Sequence, residues 1–148
     1  MFYTTSQLKE YIEGEYLKVR KKAEEDGVYR PLNVHFGDKA LPLYDCIYCY
    51  SDDEGYHYCY EERGVVSMHK KTTDLSEITY MVISSEITSM SFQYERKNRV
   101  KGQDNRRIAF KKWVEYLSLI DPVYAQKAQE EIDEILEEVP FEDDDDDD

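Results

Sequence analysis

The sequence predicts an α+β fold: a small antiparallel sheet, made of a hairpin plus a third strand, packed by an N-terminal helix and three C-terminal helices. Three observations predict it. Apolar residues recur at helical spacing at the start of the chain and again after Asp74. Between those stretches, tyrosines alternate with other residues at the period of a strand. Strands and helices are thus segregated along the chain, which favours helices gathered against an antiparallel sheet.

Taken in order, Ser6 is placed to cap a first helix running to about Asp26. Leu8, Tyr11, Ile12, Tyr16, Val19 and Ala23 form its apolar stripe, and Gly27 is its stop. Residues 28–43 form a connector with Pro31, Gly37 and Pro42 as breakers. Tyr44, Cys46, Tyr48 and Tyr50 alternate in one strand, and Tyr56, Tyr58 and Tyr60 in the next. The five-residue segment Ser51–Gly55 between them is the hairpin loop. Gly64 turns the chain into a third strand, about Val65 to Lys71.

Asp74 caps a long helix to about Arg99, with Glu77 at the third helical position as in a capping box. Leu75, Ile78, Val82, Ile83, Ile87, Met90 and Tyr94 supply its apolar face. Gly102 breaks it, and Asp104 caps the next helix, with Ile108, Trp113, Val114, Leu117 and Ile120 available for burial. Asp121-Pro122 is a cap followed by proline at the first helical position, and it opens the last helix. The stripe there is Val123, Tyr124, Ala128, Ile132, Ile135 and Leu136, and Pro140 is the stop. Residues 1–141 are expected to form a single α+β domain. Residues 142–148, seven acids in a row, are expected to form a disordered tail.

At 148 residues and 41% hydrophobic composition, the chain can bury one core without disulfides or metals. No segment approaches the roughly 18 apolar residues of a membrane span. The first residues lack the basic and apolar regions of a secretory signal, so a cytoplasmic location is expected. Three cysteines, an odd number, argue for reduced thiols over a disulfide framework.

The net charge of −14 is concentrated at one end. Residues 1–129 hold all 19 basic residues and 20 of the 33 acids, a net of −1; the other 13 acids lie between Glu130 and Asp148. Such an end is repelled by nucleic-acid backbones and anionic membranes and attracts a basic protein. Neither nucleic acid nor membrane is therefore an expected partner.

The patterns that carry chemistry are sparse. The six glycines are scattered and form no phosphate-binding loop, and no nucleophile elbow or zincin motif is present. Cys46 and Cys49 have the spacing of a zinc or redox pair, but residues three apart on a strand point to opposite faces. Cys49, Cys59 and His57 share a face only if the hairpin register allows it. Asp45, Asp52 and Asp53 would raise a thiol pKa and disfavour a nucleophile. Neither catalytic residues nor a cofactor nor a metal is expected. Of 14 tyrosines, six lie between Tyr44 and Tyr60. They can be cross-strand ladders packed under helices or a surface for a partner, and both uses can hold for different rows.

A basic stretch runs from Arg96 through Lys97, Arg99 and Lys101 to Arg106 and Arg107. It reads as a solvated corner with capping and salt bridges, as a weak nucleic-acid patch, or as an intramolecular dock for the acidic end.

Tyr56-His57-Tyr58-Cys59-Tyr60-Glu61-Glu62-Arg63-Gly64 resembles the strand-and-turn signature Y-H-Y-x-x-x-E-R-G. Downstream come the helix opened by Thr73-Asp74-Leu75-Ser76-Glu77, then Phe92-Gln93-Tyr94-Glu95, then Gly102-Gln103-Asp104-Asn105-Arg106-Arg107, and a helix ending near Pro140-Phe141. This order is similar to the immunity protein 63 family of bacterial polymorphic toxin systems. The resemblance implies a non-catalytic antidote that binds and blocks a cognate toxin, and it supplies no catalytic residues. The acidic surface suggests a basic toxin such as a nuclease. Candidate contacts are Asp52, Asp53, Glu54 and Tyr56 at the hairpin, or Glu130, Glu131, Glu134 and Glu138 on the last helix. The rival readings are an acidic-tailed adaptor or regulatory protein, and a small metal protein using the cysteines.

Overall fold

The computed structural model describes residues 1–39, 41 and 45–144; the expected strand position of Tyr44 and the last four acids lie outside the described residues. The order of elements is α1 (Thr5–Leu17), α2 (Arg20–Glu25), β1 (His35–Phe36), β2 (Cys46–Asp52), β3 (Gly55–Glu62), β4 (Val65–Thr72), α3 (Leu75–Lys97), α4 (Asn105–Ser118) and α5 (Pro122–Glu138). This is the expected α+β class. The chain divides into two compact units. One comprises residues 1–16 and 31–85, the other residues 17–30 and those from Glu86 onward.

The sheet belongs to the first unit, with order β1-β2-β3-β4. Its last three strands are antiparallel, as expected, but β1 pairs parallel to β2 through His35↔Tyr48 and Phe36↔Cys49, so the sheet is mixed. Two residues are too few to show an alternation, which is why β1 read as connector. The β2–β3 hairpin is tighter than the expected five-residue loop. Asp52 pairs with Gly55, leaving only Asp53 and Glu54 in the turn. Gly55 has φ +131°, and a Cβ there would lie 2.7 Å from the Thr72 carbonyl oxygen. Arg63 and Gly64, both at positive φ (51° and 79°), make the two-residue turn into β4. Positive φ at both central positions marks the type I′ geometry that matches strand twist. A bulge follows, because Tyr60 pairs with Met68 but Glu61 pairs with Val66.

The register sorts the sheet into two faces. One carries Cys49 opposite Tyr58 and Ser51 opposite Tyr56. The chain start is stapled to it: the Tyr3 amide donates to the Tyr56 hydroxyl (3.0 Å) and the Ser51 amide to the Thr5 hydroxyl (3.0 Å). Leu8, Ile12, Cys49, Tyr56, Ile78, Val82 and Ile83 are buried in this unit. The other face carries Cys46, Tyr48, Tyr50 and Asp52 opposite Glu61, Cys59, His57 and Gly55.

The first helix differs from expectation at both its cap and its length. Thr4 is the cap, not Ser6: the Gln7 amide donates to the Thr4 hydroxyl (3.2 Å) and the Thr4 amide to the Gln7 side chain (2.9 Å), a reciprocal capping box. The helix breaks between Leu17 and Arg20; Leu8, Ile12 and Tyr16 are buried in the first unit, and Val19 and Ala23 in the second. Gly27 (φ 71°) ends α2 as expected. The Val28 amide reaches the Ala23 carbonyl and the Gly27 amide that of Glu24, the paired bonds of a Schellman motif.

Asp74 caps α3 by accepting from the Ser76 and Glu77 amides (2.8 and 3.3 Å). The return bond of the box passes through Thr72, whose hydroxyl accepts from the Asp74 amide and donates to Glu77 (both 3.1 Å). Asp104 and Asp121 cap α4 and α5 through the amides of Arg106 and Val123. In the second unit the buried core includes Val19, Ala23, Ile87, Met90, Trp113, Leu117, Ile120, Tyr124, Ala128 and Ile132. Val123 and Ile135, assigned to the buried stripe of α5, are instead 54% and 39% exposed; the helix turns a narrower apolar face inward than its composition suggested. Phe110, Lys112 and Tyr116 are buried in α4 although the sequence reading did not include them.

Candidate partner-binding surfaces

Each unit presents its own acidic group. In the first, Asp52, Asp53 and Glu54 are exposed at the tip of the β2–β3 hairpin. The tip is held in shape from within. Asp52 accepts from the Glu54 amide (2.9 Å) and lies 2.9 Å from His57 Nε2. His57 Nδ1 lies 2.8 Å from His69 Nε2, and the Tyr50 ring stacks on His57 at 4.3 Å. His57 and the backbone of its turn hold the Asp52 carboxyl below its usual range.

Tyr56, named with the tip acids as a contact, is only 3% exposed. Its ring meets Phe2 edge-on at 5.5 Å and its hydroxyl is used by Tyr3. It lies on the opposite face of the sheet from Asp52, and a residue so enclosed offers no surface to a partner. The alternation of tyrosines was legible in the sequence, but which face met the helices was not.

The thiols are also enclosed. Cys46, Cys49 and Cys59 are buried and unpaired. The register places Cys59 and His57 on one face but Cys49, opposite Tyr58, on the other, so the three do not converge. Burial pushes Cys49 up to about 12 and raises Cys59, which stands beside the Tyr48 hydroxyl; Tyr48 itself is pushed to about 12, again chiefly by burial. These groups stay protonated near neutrality. Among the described residues no three His, Cys, Asp or Glu side chains are arranged to hold a metal ion.

In the second unit, Glu130, Glu131, Glu134 and Glu138 are all exposed on α5, joined by Asp133 and Glu137. No basic residue follows Lys127, so the rest of this helix and the segment after it carry acids as their only charged side chains. The exposed Ile135 and Val139 stand among these acids.

The basic motif has a definite place. Arg106 grips Asp104 with two nitrogens (3.2 and 2.8 Å) and donates to the carbonyls of Val139 (2.8 Å) and Pro140 (2.9 Å). Arg107 pairs with Asp143 (2.9 Å) and lies over the Phe141 ring at 4.2 Å. The Asp104 amide donates to Asp143 and the Glu142 amide to Asp104 (both 2.8 Å), while the Asp144 amide reaches Gly102 (2.7 Å). The Gly102–Arg107 segment therefore clasps Val139–Asp144, one of the uses weighed for it above. Arg106 and its neighbouring amides hold Asp104 well below the carboxylate range.

Comparison with curated proteins and with solved structures finds no match. The family model Immunity protein 63 matches residues 52–134, a span from the hairpin tip through β3, β4, α3 and α4 into α5. That match covers more than half of the chain, and this protein belongs to the Immunity protein 63 family.

Proposed function

We propose that this chain is an immunity protein that binds and neutralises a cognate bacterial toxin domain without catalysis. Family membership carries the reading. The exposed acids of the hairpin tip and of α5 support it, because they offer preformed anionic surfaces to a basic partner such as a nuclease. Burial raises the Cys49 and Cys59 thiols, which disfavours a nucleophilic thiolate at either. The candidate contacts are Asp52, Asp53 and Glu54 on one unit, or Glu130, Glu131, Glu134 and Glu138 on the other, and the enclosed Tyr56 is withdrawn.

Co-expression with the toxic domain encoded beside this gene tests the function. Rescue of growth together with a co-purified stoichiometric complex is the expected result. Continued toxicity with no complex would sink the proposal. Replacing the seven acids by alanine should slow association about tenfold or more and flatten its salt dependence. Unchanged kinetics would move the contact surface elsewhere.

A further inference from the structure

The two edges of the sheet are unlike. One is closed by β1, a strand of two residues. The other is β4, eight residues long, of which six are exposed and only Thr72 is buried. A terminal strand of that length turns alternate N–H and C=O groups outward with no neighbour in the sheet. Val65 and Val66, at its start, are 66% and 47% exposed. Natural sheets seldom leave such an edge bare unless it is guarded or used.

The charge on this edge says which strand it accepts. From Arg63 to Thr72 the chain carries Arg63, His69, Lys70 and Lys71 and no acid, in a protein whose net charge is −14. Lys71 has a loose pair with Glu54 across the turn, 3.9 Å apart with both side chains about half exposed or more, and screened accordingly. A second copy paired antiparallel over the whole edge would set Lys70 and Lys71 against Ser67 and Val66 and offer them no carboxylate, and a neutral strand would likewise gain nothing from the lysines. A strand bearing carboxylates gains both the backbone ladder and the pairing. The bulge at Tyr60/Glu61 divides the edge into an apolar start and a basic end. That basic end lies beside the hairpin tip, since Thr72 pairs with Tyr56, next to Gly55.

We infer that β4 is a docking edge: an extended, carboxylate-bearing segment of the toxin adds to the sheet as a fifth strand beside Val65–Thr72. This rests on the proposed immunity function and names the element and the mode of binding. The ladder would bring the toxin against Asp52, Asp53 and Glu54 at the same end of the sheet.

Two measurements on the full chain and its purified complex test it. Amide hydrogen exchange of peptides covering residues 65–72 should slow at least tenfold when the toxin binds. The double variant Lys70→Glu/Lys71→Glu should weaken binding about tenfold or more, whereas Lys9→Glu/Lys39→Glu, with the same change in net charge on α1 and after β1 at the opposite edge, should weaken it far less. A tight complex in which β4 exchanges as fast as in the free protein overturns the docking edge and leaves the immunity function standing. Equal losses from the two double variants overturn the carboxylate specificity. Failure of the wild-type chain to bind the toxin at all would remove both proposals together.

Discussion

The sheet unit buries phenols, thiols and one imidazole, while the helical unit buries charge. Cys49, Tyr56, Tyr58 and Cys59 fill the first, and burial pushes the Cys49 and Cys59 thiols up. In the second, Lys112 is 5% exposed, Glu86 6% and Glu95 1%. Each has an ionic partner: Lys112 meets Asp26 (2.7 Å) and Glu115 (3.2 Å), Glu86 meets Arg30 (2.7 Å), and Glu95 receives two bonds from Arg99 (2.9 and 2.8 Å). Neutral buried groups tolerate shape-conserving change. Paired charges do not tolerate loss of one member, because the survivor is left uncompensated in a low dielectric.

Removing Lys112 breaks that contrast hardest. Its ammonium satisfies Asp26, to which Tyr116 also donates (2.8 Å), and it lies 4.2 Å from the centre of the Tyr94 ring. Burial alone pulls Lys112 down, and Asp26 and Glu115 more than reverse it. For Asp26, burial pushes up and the bonds from Lys112 and Tyr116 outweigh it, leaving the carboxyl below its usual value. Lys112→Met should cost about 3–5 kcal/mol in denaturant unfolding, and adding Asp26→Asn should restore much of it. A cost below about 1 kcal/mol would show that water reaches the pair. The sign with pH follows from the lowered Asp26: its contribution is complete above the unfolded value near 3.9 and is lost as pH falls through the folded one. Lys112→Met should therefore flatten the acid limb of the stability curve.

Next comes the clasp. Arg106→Ala removes the guanidinium that joins Asp104 to the Val139 and Pro140 carbonyls, and should cost about 1.5–3 kcal/mol. Because Asp104 is depressed chiefly by Arg106, the variant forfeits that contribution already at neutral pH and should lose less further stability on acidification, its acid limb flattened in the same sense as that of Lys112→Met. Hydrogen exchange should quicken in residues 139–144. Unchanged exchange there would mean that Arg107 and Asp143 hold the segment unaided.

How much of this was readable in advance depended on range. Caps and stops act within a few residues, and Asp74, Asp104, Asp121 and Gly27 serve as the sequence indicated. The strands β2 to β4 followed from period and turn residues. What depended on partners far along the chain was not readable. Lys112 was not among the residues picked out for burial, because the partner that makes its burial tolerable, Asp26, lies 86 positions away in sequence. Tyr56 looked like a contact because period two gives two faces without saying which is covered. Asp53 and Glu54 are exposed because a two-residue turn shows its side chains to solvent whichever face of the sheet is buried.

The smallest effect concerns the turn that introduces β4 and can only sharpen the comparison from the sheet side. Arg63 sits at φ 51°, a conformation that L-residues other than Asn and Asp adopt at a cost of about 1–2 kcal/mol. Its amide donates to Asp45 (3.2 Å), a bond that any non-proline residue can keep. Arg63→Asn gives the Asn-Gly pair favoured in type I′ turns and should stabilise the fold by about 0.5–1 kcal/mol, read as a higher denaturation midpoint at unchanged slope. It also removes one positive charge from the β4 edge. If the edge accepts a carboxylate-bearing strand, the more stable protein should bind the toxin somewhat less tightly, and the two effects separate in one variant. A gain in both would mean that Arg63 lies outside the contact and that the basic end of β4, Lys70 and Lys71, alone selects the partner.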